Sequence, residues 1–189
     1  MSAPPEAAEM SKPSKRTQLL AAAASIVRRD GADALTLDAV AAEAGVSKGG
    51  LLYHFDSKEA LVSAMVAFLV DAFDAALPPK AADDPGSFTR AYLAATAESD
   101  EASLAASAGL LAAVAIAPET LAPLRARYRA WNKRLRDDGI DEVDAMMVRL
   151  AADGLWMADL LDLEPPKGPL RRAVVTRLST LARRSTETT

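Results

Sequence analysis

The chain has no cysteine and a single histidine, His54. The first absence excludes disulfides, a thiolate nucleophile and any cysteine-built metal site. The second removes most hydrolase and metal-centre chemistry, because an imidazole in those roles needs a nucleophile, a base or a second ligand beside it, and none is legible. No glycine-rich phosphate loop follows a strand pattern, and the acidic residues are scattered on helix surfaces where solvation accounts for them. No catalytic centre, metal or cofactor is expected. The chain also lacks a signal-peptide pattern and any apolar run of ~18 residues, so it reads as soluble and cytoplasmic, with no membrane partner. Nor is there a basic excess. The net charge is -4, and residues 11–60 carry seven Lys or Arg against six Asp or Glu, so charge alone does not suggest nucleic acid.

What is present is apolar material and one informative stretch. Half of the 189 residues are hydrophobic, enough to bury a core and incompatible with disorder throughout. The stretch runs TLDAVAAEAGVSKGGLLYHFDSKE from Thr36 to Glu59. Thr36 suits an N-cap, and Leu37, Val40 and Ala41 form one apolar face of a short helix that stops at Gly45. Ser47 caps a second helix with Leu51 and Phe55 at i and i+4. Two short helices joined by a glycine turn make a helix-turn-helix.

The first turn of that second helix holds Lys48, Gly49 and Gly50. Each glycine inside a helix costs about 1 kcal/mol relative to alanine, so stability does not explain the pair. A backbone without side chains, next to a lysine and exposed helix amides, can instead lie close against a phosphate-bearing surface. Tyr53 and His54 follow one turn on, and Lys58 opens the next helix. This suits a helix end docked into a major groove, with backbone contacts setting register and a few side chains meeting base edges. The candidate DNA contacts are Thr36, Ser47, Lys48, Gly49, Gly50, Tyr53, His54 and Lys58.

At these residues the sequence resembles the tetracycline-repressor (TetR) family of bacterial transcriptional regulators. The shared words are T-x-x-x-V-A-x-x-A-G-V-S from Thr36 to Ser47, K-G-x-L from Lys48 to Leu51, and H-F-x-S-K-E-x-L from His54 to Leu61. One position departs: the family usually has a phosphate-contacting tyrosine where this chain has Leu52, and the neighbouring Tyr53 is the candidate to take over part of that contact.

Apolar periodicity predicts helices over the remainder. Residues 1–13 read as a flexible arm followed by Lys15 and Arg16, which with Lys12 could lie along phosphates or simply be solvated. Residues 14–29 form the helix that completes a three-helix head. A helix over 57–77 points Leu61, Met65, Phe68, Leu69, Ala72 and Phe73 inward. Further helices cover 87–98, 101–117, 121–137, 141–163 and a last segment from Pro169, with 185–189 a flexible tail. Prolines 165 and 166 are expected to stop the penultimate helix. The basic set Arg125, Arg127, Arg129, Lys133, Arg134 and Arg136 reads as a solvated face. The fold class is therefore all-α, about nine helices: a helix-turn-helix domain over 14–60 and a helical body over 61–184.

The resemblance adds what periodicity does not. It implies a regulator that binds a palindromic double-stranded DNA operator as a homodimer, with ligand binding and dimerisation in the body. The effector-pocket candidates it brings are Phe68, Tyr92, Leu111, Tyr128, Trp131, Met147 and Trp156, with Met146 and Met157 in the same helices. Few ionisable groups fall among them, so an apolar or aromatic small molecule is expected. The dimer-interface candidates are Leu155, Leu161, Val174, Leu178 and Leu181. A constitutive or protein-controlled DNA binder without an effector is the alternative left open.

Overall fold

A computed structural model describes residues 14–79, 84–97 and 101–183; the N-terminal arm, Lys12 and the tail 185–189 lie outside them. The described residues form nine α-helices and two 3-10 turns, with no strand among them. The helices are α1 (Lys15–Asp30), α2 (Leu37–Glu43), α3 (Lys48–Leu52), α4 (Lys58–Ala75), α5 (Ser87–Ala97), α6 (Glu101–Ile116), α7 (Ala122–Arg136), α8 (Glu142–Leu161) and α9 (Gly168–Leu181).

Local chemistry sets many of the helix ends. The hydroxyls of Ser14, Thr36, Ser47 and Ser57 accept from the backbone N–H three residues on, and the Asp141 carboxylate accepts from those of Val143 and Asp144. Each such cap stabilises its helix by about 1 kcal/mol. The chain leaves α2 through Gly45 at φ +64, a conformation L side chains rarely adopt. One stop differs from expectation. Helix α8 ends at Leu161, ahead of Pro165 and Pro166, because Asp162 turns left-handed at φ 50 and the Leu163 N–H closes back on Ala158 O at 2.9 Å.

Two apolar cores result. The first gathers Leu19, Val40, Leu51 and Leu61, all 1% exposed or less, and includes Ala112 and Ala113 of α6. The second is built on Phe88, Tyr92, Trp131, Leu135 and Val148. Each fully buried aliphatic or aromatic side chain contributes about 1.5–3 kcal/mol. The packing passes from one core to the other along α4: Leu61, Val62, Met65 and Val66 serve the first, and Phe73 packs on the second. Helix α4 is apolar nearly all round, so periodicity misassigned Phe68, which is 41% exposed. Val114 of α6 is likewise exposed.

Helices α4 and α6 meet at Gly109, where a Cβ would fall 2.6 Å from Met65 Cβ and 3.0 Å from the Met65 carbonyl carbon. Only glycine admits that approach. In the body, acidic residues that read as solvated from sequence turn out to hold helices together. Asp138 accepts from Phe88 N at 3.0 Å and from Thr89 N and Oγ1 at 2.7 Å, fixing the start of α5. Asp159 receives both guanidinium nitrogens of Arg171 at 3.0 and 2.7 Å, and Arg171 also donates to Ala97 O, tying α9 to α8 and α5. Asp74 pairs with Arg127 and accepts from Trp131 Nε1 at 2.8 Å. Arg134 donates to Pro78 O and lies 3.9 Å over the Phe88 ring. Two of the six basic residues on α7 are thus occupied within the fold.

Candidate nucleic-acid interface and a separate cavity

The tip of α3 projects from the head. Lys48, Gly49 and Gly50 are all exposed, while Leu51 and Phe55 anchor the helix from below at 0% and 3% exposure. A Cβ on Gly49 would meet nothing within 4 Å. Nothing inside the protein therefore requires glycine there, and the bare backbone faces outward. Gly50 differs: its N–H donates to Ser47 Oγ at 3.1 Å, and a Cβ would stand 3.3 Å from that oxygen. Thr36 Oγ1 is used in the same way, accepting from Ala39 N at 3.1 Å.

The exposed side chains cluster round this tip. Lys48 Nζ pairs with Asp38 at 3.0 Å across the turn, an exposed bridge between α2 and α3 that sequence reading missed. Tyr53 is 86% exposed and meets the His54 ring edge-on, with centroids 5.2 Å apart. Leu52, 40% exposed, points outward beside it. Arg16 of α1 lies 5.4 Å over the Phe55 ring beneath the helix. Behind the tip, Glu43 of α2 accepts from Ser25 and Arg29 of α1, and Arg29 holds its carboxyl below the usual carboxylate range. Lys58 begins α4 directly after the Ser57 cap.

The body holds a partly open cavity of about 130 Å³. Its walls come from five helices: Leu69, Val70, Ala72 and Phe73 of α4, with Ala76 just past its end; Tyr92, Ala95 and Thr96 of α5; Ser107 of α6; Leu124, Tyr128 and Trp131 of α7; Asp153 and Trp156 of α8. Phe73 packs edge-on against Tyr92 and Trp131 at 5.1 and 4.9 Å, and Tyr128 against Trp131 at 5.1 Å. Trp156 Nε1 donates to Ser107 Oγ at 3.1 Å. Of the sequence-derived pocket candidates, Tyr92, Tyr128, Trp131 and Trp156 meet here. Phe68 and Met147 are exposed, and Leu111 packs against the head core, so these three stand outside the cavity.

Asp153 was missed. It is one acid among many on a helix, and only packing reveals that it faces the cavity. Tyr92 Oη donates to its Oδ1 at 2.7 Å, and Arg149 Nη1 lies 3.2 Å from its Oδ2. Burial pushes the Asp153 carboxyl above its ordinary range, outweighing the lowering effects of Tyr92, Arg149 and Tyr128. Burial likewise pushes the Tyr128 hydroxyl up to about 12 and the Tyr92 hydroxyl higher still.

The interface candidates on the terminal helices divide by burial within the chain. Leu155 and Leu178 are 8% and 9% exposed and belong to the body core, and Val174 and Leu181 are half-buried against it; only Leu161, at 44%, is free. The exposed apolar line of α8 is Val143, Met147, Leu150, Met157 and Leu161, with Gly154 between Leu150 and Met157. These positions step by four, three, four, three and four, the spacing of a helix–helix seam. Helix α8 is apolar on two faces, and sequence could not say which one turns inward.

A capped helix-turn-helix with a projecting glycine tip, joined by one long helix to a cavity-bearing helical body, defines a class: helix-turn-helix DNA-binding regulators. Comparison with known proteins agrees. The model for bacterial regulatory proteins of the tetR family matches residues 19–65, and that for the tetracyclin repressor-like C-terminal domain matches residues 86–183. The chain belongs to the TetR family, whose members are transcriptional regulators that bind DNA operators as dimers. The HTH-type transcriptional repressor KstR2 of Rhodococcus jostii (strain RHA1) is 39% identical over 74 residues, 39% of this chain and 36% of that protein. A putative TetR-family regulator from Rhodococcus sp. has the same fold, with TM-score 0.67 at 20% identity over 89% of this chain and 98% of that one. The multidrug binding protein EbrR, solved with ethidium, aligns with TM-score 0.58 at 25% identity over 87% and 98%. Among the described residues no helix is long and apolar enough to cross a membrane.

Proposed function

We propose that the protein is a homodimeric repressor that holds a (pseudo)palindromic operator through the α3 tip and is released when a small aromatic or apolar molecule occupies the body cavity. Residues 14–60 serve as the DNA-reading head and residues 61–184 as the effector-binding and dimerising body. The observation that carries the reading is Gly49, bare, exposed and without any packing reason inside the protein. Lys48, Tyr53, His54 and Lys58 supply the contacts around it, with Thr36 and Ser47 capping the two helices that present them. The dimer forms through the exposed seam of α8 together with Leu161 and the half-buried Val174 and Leu181, placing two heads about 34–36 Å apart or a multiple of that. An aromatic effector is supported by the rings that line the cavity and by the ethidium bound to EbrR.

Helix α4 couples the two events. Its first half lies in the head core and its second half walls the cavity, so a guest that displaces Phe73 or Leu69 moves the segment that ends at Lys58. Driving such a switch from 1:99 to 99:1 takes about 5.5 kcal/mol of differential affinity.

DNA selection with the purified protein, followed by footprinting, tests the head. Recovery of an inverted repeat is expected, and Lys48→Ala or His54→Ala should weaken its binding while leaving dimer and melting point unchanged. Unaltered affinity in both variants would remove the head assignment. Operator binding that no small aromatic compound perturbs, with no heat stabilisation by any of them, favours a constitutive regulator instead.

A further inference from the structure

The cavity is aromatic, but it is not electrically neutral. Among the described residues its lining holds one carboxylate, Asp153, and no lysine, arginine or histidine. Arg149 lies behind that carboxylate, outside the lining, with its guanidinium 5.7 Å from the Tyr128 ring centroid. The carboxylate has about four lone-pair directions. The Tyr92 hydroxyl and the Arg149 guanidinium each occupy one, and the Tyr128 hydroxyl stands near the same group. Acceptor capacity therefore remains on a carboxylate that lines the same space as Phe73, Tyr92, Tyr128, Trp131 and Trp156.

Two features point to the same guest. Aromatic faces attract cations, most strongly where water is excluded. A buried carboxylate whose partners do not fully offset its desolvation gains most from an added positive charge. An anionic guest would meet the Asp153 charge with no lining cation to receive it. The size restricts the guest further, since cavities of ~150 Å³ admit a benzene-sized molecule.

We propose that the cavity takes a compact ligand with a cationic nitrogen on an aromatic or apolar body, Asp153 serving as counter-ion and the surrounding rings as a cage. This rests on the effector-cavity reading above and sharpens it from aromatic to aromatic cation. The ring set alone would equally suit a neutral guest; the single acid distinguishes the two.

The test uses the purified chain and three small probes of similar shape, followed by calorimetry: benzylammonium, its neutral carbon isostere ethylbenzene, and the benzoate anion. The cation should bind about tenfold or more tighter than the isostere, and the anion weakest. Asp153→Asn leaves Arg149 buried without its partner and can fail to fold, so the decisive variant is Asp153→Asn/Arg149→Gln, which removes both charges together. It should bind the neutral isostere as the native protein does and lose the preference for the cation. Equal affinity for cation and isostere, tightest binding of the anion, or a preference that survives in the double variant would overturn the charge assignment while leaving an effector cavity. Failure of all three probes to bind would overturn the cavity reading and this inference together.

Discussion

Gly109 offers the most direct test of how the two cores are joined. At the α4–α6 crossing, a Cβ added there would lie 2.6 Å from Met65 Cβ and 3.3 Å from Met65 Cα. Carbon atoms in contact sit at ~3.5–4.0 Å, so the two helices must part by about 1 Å or α4 must bend. Gly109→Val adds three carbons at that point. Overpacking of a tight core costs about 1–3 kcal/mol, and valine returns only about 0.3–0.5 kcal/mol through its better helix propensity. The net is a destabilisation of about 0.5–2.7 kcal/mol. For a chain of this length that lowers the melting temperature by roughly 1–11 °C, read by far-UV circular dichroism at fixed protein concentration. Gly109→Ala should fall between wild type and valine, because alanine returns about 1 kcal/mol of propensity with a single carbon. Since Met65 sits in the head core, operator affinity should also change in the valine variant. A valine variant that melts at or above wild type would refute the close crossing and the coupling argued from it.

Further outcomes can be checked alongside. Gly49→Ala fills open space on a helix, so it should raise stability by up to about 1 kcal/mol while weakening operator binding; tighter binding would contradict the close approach. Gly86→Ala places a Cβ 1.8 Å from the Ala182 carbonyl oxygen at φ +77, and should destabilise by more than about 2 kcal/mol in chemical denaturation. Leu150→Glu on the exposed line of α8 should shift the protein toward monomer in sedimentation with its helix content intact; an unchanged dimer would place the interface elsewhere. The pH dependence has opposite signs in two assays. Burial holds the folded pKa of Asp153 above its unfolded value, so its contribution to stability is present at acid pH and lost as pH rises through the folded pKa. Affinity for a cationic probe should instead grow over that same interval as Asp153 ionises, with Arg149 charged and Tyr92 and Tyr128 neutral throughout. Cation binding that weakens with rising pH would exclude Asp153 as the counter-ion.

The helix-turn-helix was legible in the sequence because everything that makes it is local. Thr36, Ser47 and Ser57 act on amides three residues away, Gly45 turns within its own residue, and Leu51 and Phe55 lie one turn apart. Such signals survive without knowledge of what packs where, as do the helical character of the body and the aromatic residues available to it. The tertiary structure alone decided which faces turn inward. Phe68, Leu111 and Met147 sit on helices with more than one apolar face, and periodicity cannot rank those faces. The same ambiguity hid that Leu155 of α8 turns into the body core while Val143, Met147 and Leu150 of the same helix stay exposed. Asp74, Asp138, Asp153 and Asp159 looked alike as surface acids. Their separate roles, as hydrogen-bond anchor, helix cap, cavity carboxylate and clamp, exist only because residues 12 to 61 positions away arrive beside them. Local hydrogen bonding is written in adjacent residues, whereas burial and charge environment belong to the packed whole.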